Sequence, residues 1–183
     1  VTAIFDSGND GDVWVKDGSG KPYEGKVWPG MCRFPDFTAP RVRAWWAGFY
    51  RTFAARGVDG VWNDMNEPSV FDVEARTMPE GNRHAGDPAM ITWAGAPQGE
   101  RAAGPHARYH NVYGMEMARG TREGMLAALP DRRPFVLTRA GHLGSHRWAA
   151  TWTGDNVASW EHLAASIPMA LNLGLSGQPF SGP

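Results

Sequence analysis

Two aspartates of this sequence stand where buried strands are expected to end. Asp64 follows an apolar run from Val58 to Trp62, and Asp155 follows an aromatic-rich run that ends at Trp152. Carboxylates at the ends of strands are placed to face a substrate instead of the core. Cleavage of a glycosidic bond needs one carboxylate at the anomeric carbon and a second carboxyl group that protonates the leaving oxygen. The pair therefore predicts acid/base chemistry on a sugar, and the spacing alone does not assign the two roles.

Neighbouring residues favour this interpretation of the two aspartates. An aspartate after a strand is usually only a turn residue or a helix cap, which is how we interpret Asp6, Asp36 and Asp59. Asp64 and Asp155 instead share an expected rim with larger side chains, namely Trp62, Met65, Arg139 and Trp152. The arginine would bind a substrate hydroxyl, hold a carboxylate ionised, or form a structural salt bridge.

A metal hydrolase is the weaker alternative for the same residues. Glu67 lies three positions after Asp64, and the two carboxylates could serve a metal ion. However, His84 and His106 occur at no ligand spacing and the sequence contains no His-Glu-x-x-His motif. We therefore predict no metal site.

The composition excludes several classes of partner. The net charge is −1, with 18 basic and 19 acidic residues and no charged block, which argues against nucleic acid or an anionic membrane as partner. The single cysteine, Cys32, cannot form an internal disulfide, so we expect a reducing, cytoplasmic location. No apolar run approaches the roughly 20 residues of a membrane span. The nine tryptophans fit a carbohydrate site as well as a core, and Trp28 would either wall a sugar pocket or pack a loop.

Strands and helices are predicted to alternate along most of the chain. We expect strands at Val1–Phe5, Val58–Trp62, Pro134–Thr138, Ala149–Trp152 and Gln178–Phe180. Three helices are predicted. The first begins at Thr38, which would act as its cap, ends at Gly57, and buries one stripe of side chains: Val42, Trp45, Trp46, Phe49 and Phe53. The second begins at Asn111, and the third begins after Ser159 and turns Leu163, Ile167 and Leu171 inward.

Alternating strands and helices indicate a parallel α/β sheet with right-handed crossovers. Because polar residues end several of the expected strands, we predict a partial (β/α)₈ TIM barrel with about five of its eight strands, since a whole barrel takes roughly 250 residues. A hairpin excursion precedes the first helix, and the stretch from Phe71 to about Ala107 is predicted to be an active-site excursion.

Several motifs resemble those of glycoside hydrolase family 31. The segment Trp62–Pro68 resembles that family's nucleophile motif, and Arg133–Arg139 with Arg147–Asn156 resembles its acid/base region. Upstream, Val27–Gly30 and Phe34–Thr38 match as well. The similarity covers nearly the whole chain with the motifs in the right order, and the Asp-Met-Asn-Glu-Pro run resembles the α-glucosidase branch more than the α-xylosidases.

The resemblance implies a role for each candidate residue. Asp64 would be the nucleophile of a covalent glycosyl intermediate, and Asp155 would be the acid that later activates water, with retention of the anomeric configuration. The residues that would line the sugar pocket are Trp28, Trp62, Met65, Phe71, Arg139 and Trp152. The family uses no metal or organic cofactor, and its substrates are oligosaccharides with a terminal α-glucose.

The same resemblance suggests that residues 1–183 are a segment of one catalytic barrel, without the flanking barrel strands and β-sandwich domains of the family. We expect an exo-α-glucosidase that acts on maltose-like oligosaccharides. The alternatives are an α-xylosidase or α-transglucosylase of the same family, or a carbohydrate-binding remnant that has lost catalysis. The sequence predicts no oligomeric state.

Overall fold

The computed structural model describes residues 2–88 and 103–183 of the chain. Its helices and strands, numbered in chain order, are α1 (Thr2–Asp10), β1 (Glu24–Val27), β2 (Gly30–Arg33), α2 (Pro40–Gly48), α3 (Tyr50–Ala55), β3 (Gly60–Asn63), β4 (Arg83–His84), β5 (Gly104–Pro105), α4 (His106–Ala128), β6 (Phe135–Thr138), β7 (Ala150–Trp152), α5 (Trp160–Leu175) and β8 (Ser181–Gly182). A short 3₁₀ turn, Ser145–Arg147, precedes β7.

Four of these strands form a parallel sheet in the order β3-β6-β7-β8. Asn63 pairs with Thr138, and Thr138 in turn pairs with Thr151, so the carboxyl ends of the first three strands lie side by side. The α4 crossover packs on β3 and β6. A parallel sheet with crossover helices confirms the predicted partial α/β barrel, with four parallel strands among the described residues where about five were expected.

The predicted strand at Val1–Phe5 is wrong. The structure has the helix α1 over Thr2–Asp10, which places Asp6 inside a helix and not at a strand end. This helix docks on aromatic side chains: the Phe5 ring lies 5.9 Å from that of Trp14, and the Ser7 hydroxyl accepts a hydrogen bond from Trp45. These contacts with Trp14 and Trp45, which lie outside the helix, stabilise a helix where the apolar run alone indicated a strand.

The single helix predicted from Thr38 to Gly57 is divided into α2 and α3 at Phe49. Pro40 lies in the first turn as predicted, but Thr38 is not the cap, because its hydroxyl bonds to the Asp36 carboxylate. The break rotates the second piece, so that Tyr50 is buried and Phe53 is exposed, in contrast to the predicted stripe.

Helix α5 begins after Ser159 as predicted, and the Ser159 hydroxyl accepts a hydrogen bond from the backbone N–H of His162. The prediction that its apolar stripe faces inward is wrong for this chain: Leu163, Ile167 and Leu171 are 54%, 61% and 64% exposed. The reason is that α5 packs mainly against the short strand β8, and no described element covers the apolar stripe.

The core lies between the hairpin β1–β2, the helix α2 and the helix α4. Its buried side chains include Val15, Phe37, Val70, Met78 and Tyr113. The excursion predicted from Phe71 to Ala107 is described at both ends, where β4 pairs with β5, whereas residues 89–102 lie outside the described part. None of the described helices is both long and apolar enough to cross a membrane.

Candidate active site

Asp64 directly follows β3, at the carboxyl edge of the parallel sheet. Its Oδ1 atom accepts a hydrogen bond of 2.8 Å from the backbone N–H of Met65. Met65 itself has a φ of 56°, a left-handed conformation that a methionine rarely adopts. This sharp turn ends the strand and holds the Asp64 carboxylate at the sheet edge, partly exposed to solvent.

Arg139 follows the neighbouring strand β6 and joins the two predicted aspartates. Its backbone N–H donates to the Asn63 carbonyl oxygen at 3.1 Å, which continues the pairing of the two strands. Its Nη1 atom lies 3.4 Å from Asp64 Oδ1 and 3.3 Å from Asp155 Oδ2. Because both oxygens contact the same nitrogen atom, the distance between Asp64 Oδ1 and Asp155 Oδ2 cannot exceed the sum of these two distances. The two residues are nevertheless distant in sequence.

Glu67 occupies the other side of the same guanidinium group. Arg139 Nε donates to Glu67 Oε1 at 2.7 Å, Arg139 Nη2 donates to Oε2 at 3.2 Å, and Nη2 also donates to Ser69 Oγ at 3.0 Å. Burial by itself raises the pKa of Glu67, but the hydrogen bonds from Arg139 and Ser69 outweigh it and lower that pKa. Glu67 is thus held as a carboxylate, and its hydrogen bonds raise the pKa of Arg139.

Asn66 fixes the loop after β3 to the strand β6. Its side-chain Nδ2 donates to Thr138 Oγ1 at 2.9 Å, and its Oδ1 accepts from the backbone N–H of Ala140 at 3.1 Å. The side chain is buried, so these bonds satisfy polar groups that have no access to water. The loop that carries Asp64 and Glu67 is thereby held in register with Arg139.

Two of the predicted aromatic residues form one wall beside these carboxylates. Trp62 on β3 and Trp152 on β7 meet edge to face, with ring centroids 5.1 Å apart. Trp62 is substantially exposed although it lies in a sheet strand, so an aromatic face remains available. Exposed aromatic faces stack on the C–H surface of sugars.

Trp28 and Phe71 form a second aromatic pair. Trp28 lies in the turn of the β1–β2 hairpin and is 82% exposed, with its ring centroid 4.8 Å from that of Phe71. The backbone N–H of Phe71 donates to the Lys26 carbonyl oxygen at 2.8 Å, which ties the loop after β3 to the hairpin. The six predicted pocket residues thus comprise two aromatic pairs, Met65 in the turn after Asp64, and Arg139 between the carboxylates.

His84 and His106 lie in the buried interior and contact each other there. His84 Nδ1 lies 2.7 Å from Asp36 Oδ1, and His84 Nε2 lies 2.9 Å from His106 Nδ1, all in the buried interior. This contact was not visible in the sequence, because the histidines lie on separate elements. No group of three or more histidine, cysteine, aspartate or glutamate side chains able to hold a metal occurs within residues 2–88 and 103–183.

The whole chain matches the model of one protein family, whose fold carries its functional groups at the ends of strands as this chain does. A family model described as the TIM-barrel domain of glycosyl hydrolases family 31 matches residues 1–183. The chain belongs to glycoside hydrolase family 31. The predicted family resemblance is thereby confirmed.

Relatives within family 31 are similar in sequence and in structure. Alpha-glucosidase 2 of Bacillus thermoamyloliquefaciens is 46% identical over 180 residues, a stretch that covers 98% of this chain and 21% of the relative. A family 31 alpha-glucosidase from Bacteroides thetaiotaomicron is 49% identical, with a TM-score of 0.74 over 96% of this chain and 25% of that one. The glucosidase II alpha subunit, in an alpha3-Glc2-bound form, is 38% identical, with a TM-score of 0.83 over 98% of this chain and 18% of that one. The chain spans about a fifth of the length of the curated relatives that it matches.

Glu67 is the site residue whose contact the sequence reasoning missed. It lies inside the family 31 segment Trp62–Pro68, where the sequence alone suggests only a metal-binding role for it. The signal that could have found it was Arg139 itself, because a salt bridge at the end of a strand requires a carboxylate partner and the sequence analysis named none for it. Glu67 was the nearest carboxylate in the motif that did not already have an assigned role.

Proposed function

We propose that the protein is a retaining exo-α-glucosidase that releases α-glucose from the non-reducing end of maltose-like oligosaccharides. One observation carries the proposal: a single atom, Arg139 Nη1, contacts both Asp64 and Asp155. The resulting upper limit on the separation of the two carboxylates is compatible with the about 5–5.5 Å typical of retaining glycosidases. Relatives of the chain that are named alpha-glucosidases support the choice of sugar.

The reaction then proceeds in two displacements. In the first, Asp64 Oδ attacks the anomeric carbon, the glycosidic C–O bond breaks, and the Asp155 proton passes to the leaving oxygen. In the second, the Asp155 carboxylate takes a proton from water, the water oxygen bonds to the anomeric carbon, and the bond to Asp64 breaks. Two inversions at one carbon give net retention.

The structure suggests how the two aspartates differ. Asp64 is held at the sheet edge by its own backbone turn and by Arg139, as suits an attacking group. Asp155 lies in the loop beyond β7 with its side chain 82% exposed, so it can turn towards a glycosidic oxygen. Arg139 supports the charge of both, and Glu67 balances the charge of Arg139.

The aromatic pairs would supply the binding surface for an oligosaccharide. Trp62 and Trp152 lie on the strands that precede Asp64 and Asp155, which suits contact with the sugar that is cleaved. Trp28 and Phe71 lie on the hairpin and the loop, which suits contact with the same sugar from the open side. We therefore propose an uncharged oligosaccharide as substrate.

A substrate panel with product analysis tests the proposal. The full-length protein is incubated with maltose, α-xylosides and a β-glucoside, and the first-formed anomer of the product is identified by proton NMR. We expect hydrolysis of maltose with α-glucose appearing first. Appearance of β-glucose first would contradict the retaining mechanism, and activity on xylosides without activity on maltose would indicate an α-xylosidase. Transfer of glucose to a second sugar in place of water would indicate a transglucosylase.

The same panel separates an enzyme from a carbohydrate-binding remnant. Asp64→Asn is compared with Arg56→Gln, an exposed residue at the end of α3. We expect loss of turnover only in the first variant. Equal turnover of both variants would contradict the assignment of Asp64.

A further inference from the structure

The hairpin that carries Trp28 is joined to the loop after β3 through both backbone groups of Lys26. The Lys26 carbonyl oxygen accepts a hydrogen bond of 2.8 Å from the backbone N–H of Phe71. The Lys26 N–H donates to the Asp72 carboxylate, at 3.0 Å to Oδ1. The Asp72 side chain thus takes the place that a backbone carbonyl group has in a regular β-ladder, although the two residues are 46 positions apart.

The loop on one side of this junction is braced by its own hydrogen bonds. The backbone N–H of Val70 donates to the Arg76 carbonyl oxygen at 3.0 Å, and Arg76 Nη1 donates to the Phe71 carbonyl oxygen at 2.6 Å. Nearer to β3, the backbone N–H of Ser69 donates to the Met65 carbonyl oxygen at 3.1 Å. The loop therefore connects the junction to the turn that holds the candidate nucleophile.

The hairpin on the other side of the junction lies directly on the loop. A Cβ atom at Gly25 would be 2.8 Å from Cγ1 of Val70, a fully buried side chain. Trp28 follows Lys26 by two residues, in the turn of the hairpin, and its ring centroid lies 4.8 Å from that of Phe71. The place of the Trp28 ring relative to the loop therefore depends on the junction at Lys26.

We propose that Asp72 is a positioning residue of the sugar site. By accepting the Lys26 N–H, it holds the hairpin turn so that Trp28 stays against Phe71. This inference rests on the proposed function, in which the two rings bind the sugar that is cleaved. Contact with a ring face acts on the substrate and on the transition state alike, so loss of the Asp72 acceptor should raise KM and leave kcat unchanged.

Three substitutions in the full-length protein test the proposal. Asp72→Ala removes the acceptor, whereas Asp72→Asn keeps an acceptor oxygen at the same distance from the backbone and removes only the charge. Asp17→Ala is the matched control, because the Asp17 carboxylate accepts from the backbone N–H groups of Ser19 and Lys21 in a separate turn. Steady-state kinetics with maltose gives KM and kcat, and hydrogen-exchange mass spectrometry follows the Lys26 amide. Circular dichroism checks the folding of each variant.

We expect Asp72→Ala to raise KM about threefold to tenfold, to leave kcat within about twofold of wild type, and to speed exchange of the Lys26 amide. Asp72→Asn and Asp17→Ala should keep both constants within about twofold of wild type. An unchanged KM in Asp72→Ala would overturn the proposal. A loss in Asp72→Asn as large as that in Asp72→Ala would also overturn it, since the charge and not the hydrogen bond would then be responsible.

The double variant Trp28→Ala/Asp72→Ala shows whether Asp72 acts through the tryptophan ring. If it does, the KM of the double variant equals that of Trp28→Ala alone, whereas additive effects would overturn the positioning role. Absence of maltose hydrolysis by the wild-type protein would contradict the proposed function together with this inference. Hydrolysis by the wild-type protein with an unchanged KM in Asp72→Ala would overturn the inference alone.

Discussion

Arg139 and Glu67 form a bidentate ion pair at the centre of the candidate site, with Nε–Oε1 at 2.7 Å and Nη2–Oε2 at 3.2 Å. The pair uses two of the three guanidinium nitrogens. Only Nη1 remains for Asp64 and Asp155, and it contacts both. Glu67 therefore sets how much positive charge the two aspartates experience, although its own carboxylate points to the other side of the arginine.

Replacing Glu67 with glutamine should lower the rate of the reaction. A neutral amide cannot hold Arg139 Nε and Nη2 as the carboxylate does, so the guanidinium group loses the position from which Nη1 contacts Asp64 and Asp155. A hydrogen bond to a charged group is worth about 1.5–3 kcal/mol, so we expect kcat/KM to fall at least about tenfold. The measurement is steady-state kinetics with maltose.

Glu123→Gln is the matched control for that variant, because Glu123 pairs with Arg119 on α4 at 2.9 Å, away from the sheet edge. Its kcat/KM should equal that of wild type. An unchanged kcat/KM in Glu67→Gln would contradict the role of Glu67 in positioning Arg139.

Truncating Trp152 should weaken the binding of the sugar. Trp152→Ala removes one ring of the edge-to-face pair with Trp62 and the surface that the pair presents. Aromatic pairs contribute about 0.5–1.5 kcal/mol beyond their burial, so we expect roughly a tenfold loss of kcat/KM, carried mainly by KM. Steady-state kinetics with maltose measures it, and Trp160→Ala, a highly exposed tryptophan on α5, is the control. Equal losses in the two variants would contradict a specific role for the pair.

Two glycine substitutions should have opposite effects on stability. A Cβ atom at Gly124 of α4 would lie 2.6 Å from the Ala47 carbonyl oxygen and 2.9 Å from the Tyr50 ring, whereas one at Gly48 would meet no atom within 4 Å. Gly124→Ala should lower the free energy of unfolding by about 1–3 kcal/mol through overpacking. Gly48→Ala should leave it unchanged or raise it by up to about 1 kcal/mol. Urea denaturation measures both, and equal effects would contradict the close packing of α4 on α2.

Acid should destabilise the fold through His106. Burial, together with the neighbouring His84 and His110, lowers its pKa from 6.5 to about 3, against a smaller opposing effect of Asp36. The neutral imidazole stabilises the folded state fully above the unfolded pKa of 6.5, and this contribution is lost as the pH falls towards 3. Over that range the unfolded chain binds one more proton, so the free energy of unfolding should fall by about 1.4 kcal/mol per pH unit.

His106→Gln removes this titration, so the free energy of unfolding should vary less with pH between 6.5 and 3. His146→Gln, at an exposed position, should leave the pH dependence as in wild type. A separate loss at lower pH is expected from Asp36, whose pKa is lowered by its hydrogen bonds to His84 and Thr38 against the opposing effect of burial. An unchanged slope in His106→Gln would contradict the assignment to this imidazole.

The residues at the sheet edge were largely predictable from local sequence. Asp64, Arg139 and Trp152 each follow or end a short apolar run, and parallel strands bring such ends together. The pairing of Glu67 with Arg139 was not predictable from spacing, because the two residues are 72 positions apart. The α1 helix and the exposed face of α5 were also missed, since each depends on which partner surface the element meets, and periodicity does not report that.

Trapping of the covalent intermediate tests the central claim most directly. The full-length protein is treated with 5-fluoro-α-glucosyl fluoride, digested, and the labelled peptide is sequenced by mass spectrometry. The account predicts a single glycosyl ester on Asp64, which is absent when the label is applied to Asp64→Asn. A label on Glu67 or on Asp155 would contradict it.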